Sequence, residues 1–249
     1  MAIGRVLYTI YAYIVGVPIF LMFNLTTAPV IYFSDEQNKA YLVVAKFWST
    51  LLTRVLLLCV KIDGLENVAA APPGSMLICN HQSLMDIPLL LQAWPRPYSY
   101  MFKKELERLP IFGWHVRQSA HFCIDRERGE SLTRLENDIK EHLRKGNDLA
   151  VFAEGTRSTT GSLQALKRGA FHLAIKFQTP VIPVYIANSG RFKPKHRSTA
   201  WPQKIGIAIH PAIVPPAISD TDPGFRQATI DLLKQVEAIL KDDELRMSA

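Results

Sequence analysis

The chain has only three cysteines, Cys59, Cys79 and Cys123, each in a separate apolar stretch and without CxxC or Cys/His ligand spacing. That argues against a disulfide scaffold or a zinc knuckle, and leaves the thiols as small buried hydrophobes of a reducing compartment. The seven histidines form no HExxH or similar pattern, so no metal and no cofactor are expected. A GxSxG nucleophile elbow is missing as well. Repeats and low-complexity segments are absent. RNP-type, zinc-finger and basic-helix patterns are also lacking, so nucleic acid is not the expected partner despite a net charge of +7 and a pI near 9.3. The excess charge suits a phosphorylated metabolite or an acidic membrane surface instead.

Charge is unevenly spread. Residues 1–60 hold four cations, Arg5, Lys39, Lys46 and Arg54, and two acids, Asp35 and Glu36, leaving 25 Lys and Arg against 20 acids in the rest. From Val6 to Phe33 there is no charged residue, a length that matches a hydrocarbon core of ~30 Å. Gly16, Pro18, Asn24, Thr26, Thr27 and Pro29 interrupt that run, and a second apolar helix is predicted from about Ala40 to Val60 with Arg54 inside it. A cation in mid-bilayer is costly, so residues 1–60 are expected to form a helical hairpin embedded in one leaflet, with Arg5, Lys46, Arg54 and Lys61 reaching the headgroups. Two soluble core helices are the plainer alternative, because Phe47, Trp48, Leu51, Val55 and Leu58 also form an amphipathic stripe. A signal peptide fits less well, since no small-x-small cleavage site follows cleanly.

With 48% hydrophobic residues, a chain of 249 residues supports one full core plus an appendage. After Lys61 short apolar runs alternate with helical periodicity, the pattern of an α/β domain over 61–249. Strands are expected near 76–80, 98–103, 121–124, 148–153, 180–186 and 204–210, and helices near 84–92, 131–145 and 164–178. A last helix is expected from Asp222-Pro223, with Phe225, Ile230, Leu233, Val236 and Leu240 turned inward. The fold class is therefore α/β, a mixed and largely parallel sheet of about six or seven strands flanked by helices, preceded by the apolar two-helix hairpin.

The most informative stretch is Asn80-His81-Gln82-Ser83-Leu84-Met85-Asp86, directly after the apolar run Met76-Leu77-Ile78-Cys79. Residues five apart diverge by about 140° on a helix and fall on opposite faces of a strand, so His81 and Asp86 meet only across a turn. Ser83 followed three residues later by an acid is a helix N-cap signature, which places His81 on the strand-to-helix loop and lets Asp86 curl back to it. Taken alone, the heptad reads either as a catalytic base with its carboxylate or as a capping acid beside a hydrogen-bonded loop histidine. A second cluster, Phe152-Ala153-Glu154-Gly155-Thr156-Arg157-Ser158, follows the apolar run Leu149-Ala150-Val151. A third, Phe122-Cys123-Ile124-Asp125-Arg126, also ends on a cation.

In order, Asn80 to Asp86, Ile124-Asp125-Arg126, Phe152 to Ser158 and Val181-Ile182-Pro183-Val184 resemble the four motif blocks of the glycerolipid acyltransferases, most closely the bacterial 1-acyl-glycerol-3-phosphate (lysophosphatidic acid) acyltransferases. The resemblance covers about residues 76–186. Two positions depart from the pattern: Ala153 stands where proline is usual, and Ser119, Ala120 and His121 stand where a glycine is usual upstream of the second block.

The resemblance implies an enzyme that moves an acyl chain from a thioester, acyl-CoA or acyl carrier protein, to the 2-hydroxyl of lysophosphatidic acid, giving phosphatidic acid. His81 and Asp86 would be the base and its carboxylate. Without a GxSxG elbow, the hydroxyl would attack the thioester directly. A phosphomonoester is matched best by a guanidinium, which selects Arg126 and Arg157. By the same resemblance Glu154, Gly155, Thr156 and Arg157 belong to acceptor binding, and Lys104 reaches the phosphate. Asn80 and Ser83 would support the turn, and Pro183 would shape an apolar edge near the acyl chain. The expected place is the cytoplasmic face of a bacterial inner membrane, held monotopically. Other readings are acylation of glycerol 3-phosphate or another lysolipid, a metal-dependent hydrolase using His81, Asp86, His115 or His121 and Glu154, or a non-catalytic binder of anionic lipid.

Overall fold

The computed structural model describes residues 2–33, 39–108, 113–114, 121–124, 130–195 and 199–247. Its centre is strand β2, Met76–Cys79, whose four apolar side chains are all buried. A strand buried on both faces needs apolar residues at every position, which is why this run does not alternate with polar ones. Met76 and Ile78 enter the core cluster on one face, while Leu77 and Cys79 enter the cluster on the other.

Around β2 the sheet has seven strands in the order β1-β7-β6-β2-β5-β3-β4. The strands are β1 Cys59–Asp63, β3 Tyr98–Lys103, β4 Phe122–Ile124, β5 Asp148–Phe152, β6 Val181–Ala187 and β7 Lys204–Ile209. Strands β6, β2, β5, β3 and β4 run parallel; β7 is antiparallel to β6, and β1 lies parallel to β7 at the edge. The mixed, largely parallel sheet expected from the sequence is therefore present. Met76 pairs with Leu149 on one side and Val181 on the other, and Cys79 with Phe152 and Val184. This register brings the carboxyl ends of β2, β5 and β6 to one edge, where ligands bind in open α/β sheets.

Helices cover both faces. Helices α5 (Glu130–Arg144), α6 (Arg168–Lys176) and α8 (Phe225–Met247) pack one core cluster; α4 (Asp86–Ala93) packs the other, with Leu89, Leu90 and Trp94 almost fully buried. Short helices α3 (Leu65–Ala70) and α7 (Ser189–Phe192) complete the set. Gly64 begins α3 at φ 86°, and a Cβ there would stand 2.0 Å from the Ile209 carbonyl oxygen, so only glycine fits.

The amino-terminal helices are α1, Ala2–Phe33, with Pro18 and Pro29 inside it, and α2, Lys39–Val55. Residues 34–38, between the two helices, lie outside the described residues. Two local expectations are corrected. The second apolar helix ends at Val55 instead of Val60, because Leu57 takes φ 54° and Cys59–Asp63 leaves to pair with Lys204–Ala208. The continuous apolar run Val55 to Val60 carries no period that separates a helix end from an edge strand. Helix α6 starts at Arg168, not near 164, because the Lys167 N–H is drawn to the Ala153 carbonyl at 2.8 Å. The last helix buries Phe225, Thr229, Leu232, Val236 and Leu240; Ile230 and Leu233 are only half-buried.

Within the hairpin Tyr11 Oη donates to the Val55 carbonyl at 2.6 Å, and the hairpin is fastened to the sheet domain where the Ala200 N–H donates to Thr9 Oγ1 at 2.9 Å. On α4, Gln92 Nε2 donates to the Ser49 carbonyl at 3.1 Å and to Thr53 Oγ1 at 3.0 Å, while Ser49 Oγ donates to the Pro88 carbonyl. Elsewhere α1 exposes Ile3, Leu7, Ile14 and Leu25, each more than 60% accessible. By length and composition alone, Ile3–Val30 meets the requirement for crossing a bilayer.

Candidate active site

Strand β2 ends in a loop that helix α4 closes. The turn at Ser83 brings Asp86 back over the loop, and one oxygen, Asp86 Oδ2, accepts three hydrogen bonds: from His81 Nδ1 at 2.7 Å, Gln82 N–H at 2.8 Å and Ser83 N–H at 2.9 Å. Asp86 is wholly buried, and a buried carboxylate is tolerable only with such partners. The helix begins at Asp86, two residues later than expected, because Leu84 and Met85 form the turn that aims this carboxylate. Ser83 Oγ accepts the Met85 N–H at 3.3 Å within this turn, so Ser83 braces the turn while Met85, not Ser83, holds the N-cap position of α4, which has no side-chain cap.

A carboxylate only accepts, so His81 Nδ1 is the donor and Nε2 carries the lone pair. No described residue hydrogen-bonds Nε2, and the imidazole is 17% exposed. Its ring is held flat against Phe152, with centroids 4.1 Å apart and planes 20° apart. The backbone of His81 is pinned on both sides by the loop after β5: His81 N–H donates to Glu154 Oε1 at 2.9 Å, and Ser158 N–H donates to the His81 carbonyl at 2.7 Å. A third tie comes from Asn80, whose side chain donates to the Ile186 carbonyl at 2.9 Å and accepts its N–H at 2.7 Å. It thereby extends the β2–β6 ladder by one residue. The first and third sequence blocks thus meet at His81, and β6, the strand that carries the fourth, holds the neighbouring Asn80 through Ile186.

Glu154 is buried, and burial pushes its carboxyl up to about 7, against the pull of the His81 and Gln164 N–H groups. It faces the His81 backbone, not Arg157. Burial, with the nearby Asp86 charge, also holds the Cys79 thiol well above its ordinary value, which makes that sulfur inert. Gly155 turns the chain at φ 69°. Arg157 is half-buried, and its guanidinium makes no ion pair among the described residues. Thr156 Oγ1 accepts from Lys195 Nζ at 3.1 Å.

The remaining expected residues fall as follows. Lys104 opens the short 3-10 helix Lys104–Arg108 directly after β3 and is exposed, so it lies at the same sheet edge as the loops after β2 and β5. Arg126 lies outside the described residues; β4 ends at Ile124 on that edge. Pro183 is buried inside β6 opposite Ile78, with its carbonyl accepting the His210 N–H at 3.0 Å. Ala153, one of the two departures, is buried and donates to the Cys79 carbonyl at 3.1 Å. Among the described residues no group of three His, Cys, Asp or Glu is placed to hold a metal. His115 lies outside them.

Among the described residues the carboxyl edge of the parallel sheet thus carries a buried His–Asp pair and, on the neighbouring loop, an arginine without an ion pair. A family model described as "Acyltransferase" matches residues 59–187, the sheet from β1 to β6 and every block of the site. The chain belongs to the acyltransferase family. This acyltransferase is 31% identical over 190 residues to a 1-acyl-sn-glycerol-3-phosphate acyltransferase of Helicobacter pylori, covering 74% of the chain and 73% of that protein. It is 35% identical over 157 residues to the Saccharomyces cerevisiae enzyme of the same name, covering 62% of the chain and 51% of that relative. The crystal structure of the 1-acyl-sn-glycerophosphate (LPA) acyltransferase of Thermotoga maritima superimposes with a TM-score of 0.79 at 26% identity, covering 99% of this chain and 98% of that one. The chain spans about half the length of the yeast relative and 64% of one from Chlamydomonas reinhardtii.

Several residues at the site of this acyltransferase had no role in the sequence reading. Phe152 and Ser158 sat inside a quoted block without a contact to assign. Gln82, 3% exposed, donates from Nε2 to the Gly161 carbonyl at 2.6 Å and accepts the Gly190 N–H at 3.4 Å, tying the His81 loop to two others. Lys195 falls in Arg191-Phe192-Lys193-Pro194-Lys195-His196-Arg197, a basic run whose density was the available signal.

Proposed function

We propose that this chain acylates the 2-hydroxyl of 1-acyl-glycerol 3-phosphate from a thioester donor, acyl-CoA or acyl carrier protein, giving phosphatidic acid. The observation that carries the reading is the His81–Asp86 contact at 2.7 Å with Nε2 left for a substrate. Nε2 takes the proton of the acceptor hydroxyl as its oxygen attacks the thioester carbonyl carbon. The C–S bond breaks, the thiolate takes the proton back from the imidazolium, and an ester is formed. Asp86 fixes the tautomer and stabilises the transient imidazolium. Glu154 and Asn80 hold the His81 backbone, and Ser83 supports the turn. Arg157, on the loop of Gly155 and Thr156, receives the acceptor phosphate, with Lys104 and Arg126 from the neighbouring strand ends. Pro183 contributes to the apolar wall under the acyl chain.

The hairpin is read as lying in one leaflet at the cytoplasmic face of a bacterial inner membrane, with Lys46 and Arg54 at headgroup level. The apolar residues that α1 exposes support this. Because α2 is hydrogen-bonded to α4, and α4 begins with Asp86, a leaflet-embedded hairpin sets the height of His81 above the membrane.

The test is an assay of the purified protein in detergent with acyl-CoA or acyl carrier protein, against lysophosphatidic acid, glycerol 3-phosphate and other lysolipids, with products identified by mass. Phosphatidic acid that persists in the presence of a chelator is expected; free fatty acid whose release the chelator stops would mark a metal-dependent hydrolase. For the membrane reading, Leu25→Glu should release protein from vesicles while sparing activity on a short-chain soluble acceptor. Unchanged vesicle binding would contradict it.

A further inference from the structure

Among the described residues the cations around the turn from Gly155 to Arg157 are not paired with acids. Lys195, half-buried, donates from Nζ to Thr156 Oγ1 at 3.1 Å and to the Arg157 carbonyl at 3.3 Å. Lys167 also reaches the turn; its Nζ lies 2.7 Å from the point where a Cβ on Gly155 would stand. With Arg157 this sets three cations on three consecutive residues, whose Cα atoms are ~3.8 Å apart from one to the next. Among the described residues none of the three forms an ion pair with a carboxylate. The acid of the turn, Glu154, faces inward to the His81 N–H, and burial favours its neutral form.

Like charges on neighbouring positions repel one another, and an anion bound among them relieves that repulsion. An ammonium has three hydrogens, and Lys195 spends two on the turn, which leaves one for a ligand. We propose that Lys195, together with Lys167, completes a cradle around Arg157 that binds the phosphomonoester of the acceptor lipid. This rests on the acceptor reading given above and adds two residues to it. Lys195 lies beyond residues 59–187, the part that matches the family.

The chemistry supports this choice of ligand. A phosphomonoester carries close to two negative charges, which one guanidinium leaves half compensated. The cradle is also tied to the base: Lys195 holds the Arg157 carbonyl, and the next N–H, that of Ser158, holds the His81 carbonyl at 2.7 Å. A phosphate seated here therefore fixes where the 2-hydroxyl lies relative to Nε2.

The test uses the full chain in detergent and two readouts: equilibrium binding of short-chain lysophosphatidic acid without donor, and steady-state kinetics with each substrate varied. Lys195→Gln keeps a hydrogen-bond donor for the turn and removes only the charge. It should weaken acceptor binding and raise the acceptor KM about tenfold, with kcat and donor KM within about twofold, as expected for one lost charge-assisted hydrogen bond. Lys195→Arg should restore most of the affinity. A loop tie without a phosphate role predicts wild-type affinity for Lys195→Gln, and that result would overturn the proposal. A rise in donor KM alone would also overturn it, assigning the cradle to the donor's phosphates. If Lys195→Gln melts early, Lys167→Gln carries the same test. A wild-type protein that makes no phosphatidic acid would sink the acyl-transfer reading, and the binding titration would still decide the cradle.

Discussion

Among the described residues two buried His–Asp pairs have nearly the same dimensions, and only one has the surroundings of a base. His81 Nδ1 meets Asp86 Oδ2 at 2.7 Å and His210 Nε2 meets Asp243 Oδ2 at 2.6 Å; both aspartates are wholly buried, and the imidazoles are 17% and 22% exposed. The differences lie in the other contacts. Among the described residues Asp86 receives only N–H donors from the turn and the ring, and no cation of theirs competes with the imidazolium for its charge. Asp243 also pairs with the Arg246 guanidinium, on the carboxyl-terminal turn of α8. His210 uses Nε2 for its aspartate, follows a strand that runs against the parallel body of the sheet, and bonds through its N–H to Pro183. A short His–Asp distance is thus compatible with a helix anchor as well as with a base. What separates them is which ring nitrogen is engaged, what else neutralises the acid, and whether anion-binding groups stand nearby.

Substitution should break this symmetry. His81→Ala is expected to lower turnover by at least ~10²-fold, the usual contribution of a general base being 10²- to 10⁴-fold, with the protein still folded although buried Asp86 loses a hydrogen-bond donor. His210→Ala should leave turnover within about twofold while lowering Tm by about 2–10 °C, the equivalent of ~1–3 kcal/mol for a buried partner left short of a hydrogen bond. Both are read from initial rates and thermal melts; equal losses of turnover would erase the distinction drawn here. Asp86→Asn should be nearly as harmful as His81→Ala, since an amide keeps the acceptor for the turn but not the charge that stabilises imidazolium.

Arg157→Lys should raise the acceptor KM about tenfold and leave the donor KM nearly unchanged, because an ammonium keeps the charge and loses the paired fork. A donor-specific effect would mean that the two substrates had been exchanged in this account.

The smallest effect concerns Glu154. Its folded carboxyl titrates at about 7, above the ordinary 4.5 of the unfolded chain, so the native state holds a proton that the unfolded state releases first. Its contribution to stability is therefore fully present below about pH 4.5 and is lost as pH rises toward 7. Glu154→Gln keeps the acceptor for the His81 N–H and removes the titration. Denaturant melts across pH 4.5–7 should show a flatter dependence in the variant; identical slopes would place the ionisation elsewhere.

The sequence made the site's backbone frame legible because each central strand is a short continuous apolar run. Those of β2, β5 and β6 end where chemistry-bearing residues begin. The His81–Asp86 meeting was readable because only a turn lets that spacing close. Edge strand β1 was not readable: its half-exposed residues follow directly on an apolar helix, and pairing with β7 rests on residues some 145 positions away. Nor does spacing say which way a side chain points at a strand-end turn, so the grouping of Glu154 with Arg157 gave no hint that the acid turns inward to His81. Lys195 belongs to no motif and reaches the site only because α7 and the following loop fold back over the turn at Thr156.

The central claim is that the acceptor hydroxyl attacks the thioester directly, with His81 as base and no acyl group resting on the protein. Among the described residues around His81, Ser83 Oγ accepts the Met85 N–H, Ser158 Oγ donates to the Ser162 carbonyl at 2.7 Å, and burial pushes the Cys79 thiol well above its ordinary value. The most direct measurement is the intact mass of the protein after mixing with isotopically labelled acyl donor, first without and then with lysophosphatidic acid. The account predicts unmodified protein at both stages and labelled phosphatidic acid only after the acceptor is added. A labelled acyl adduct that forms without acceptor and disappears into product would contradict it.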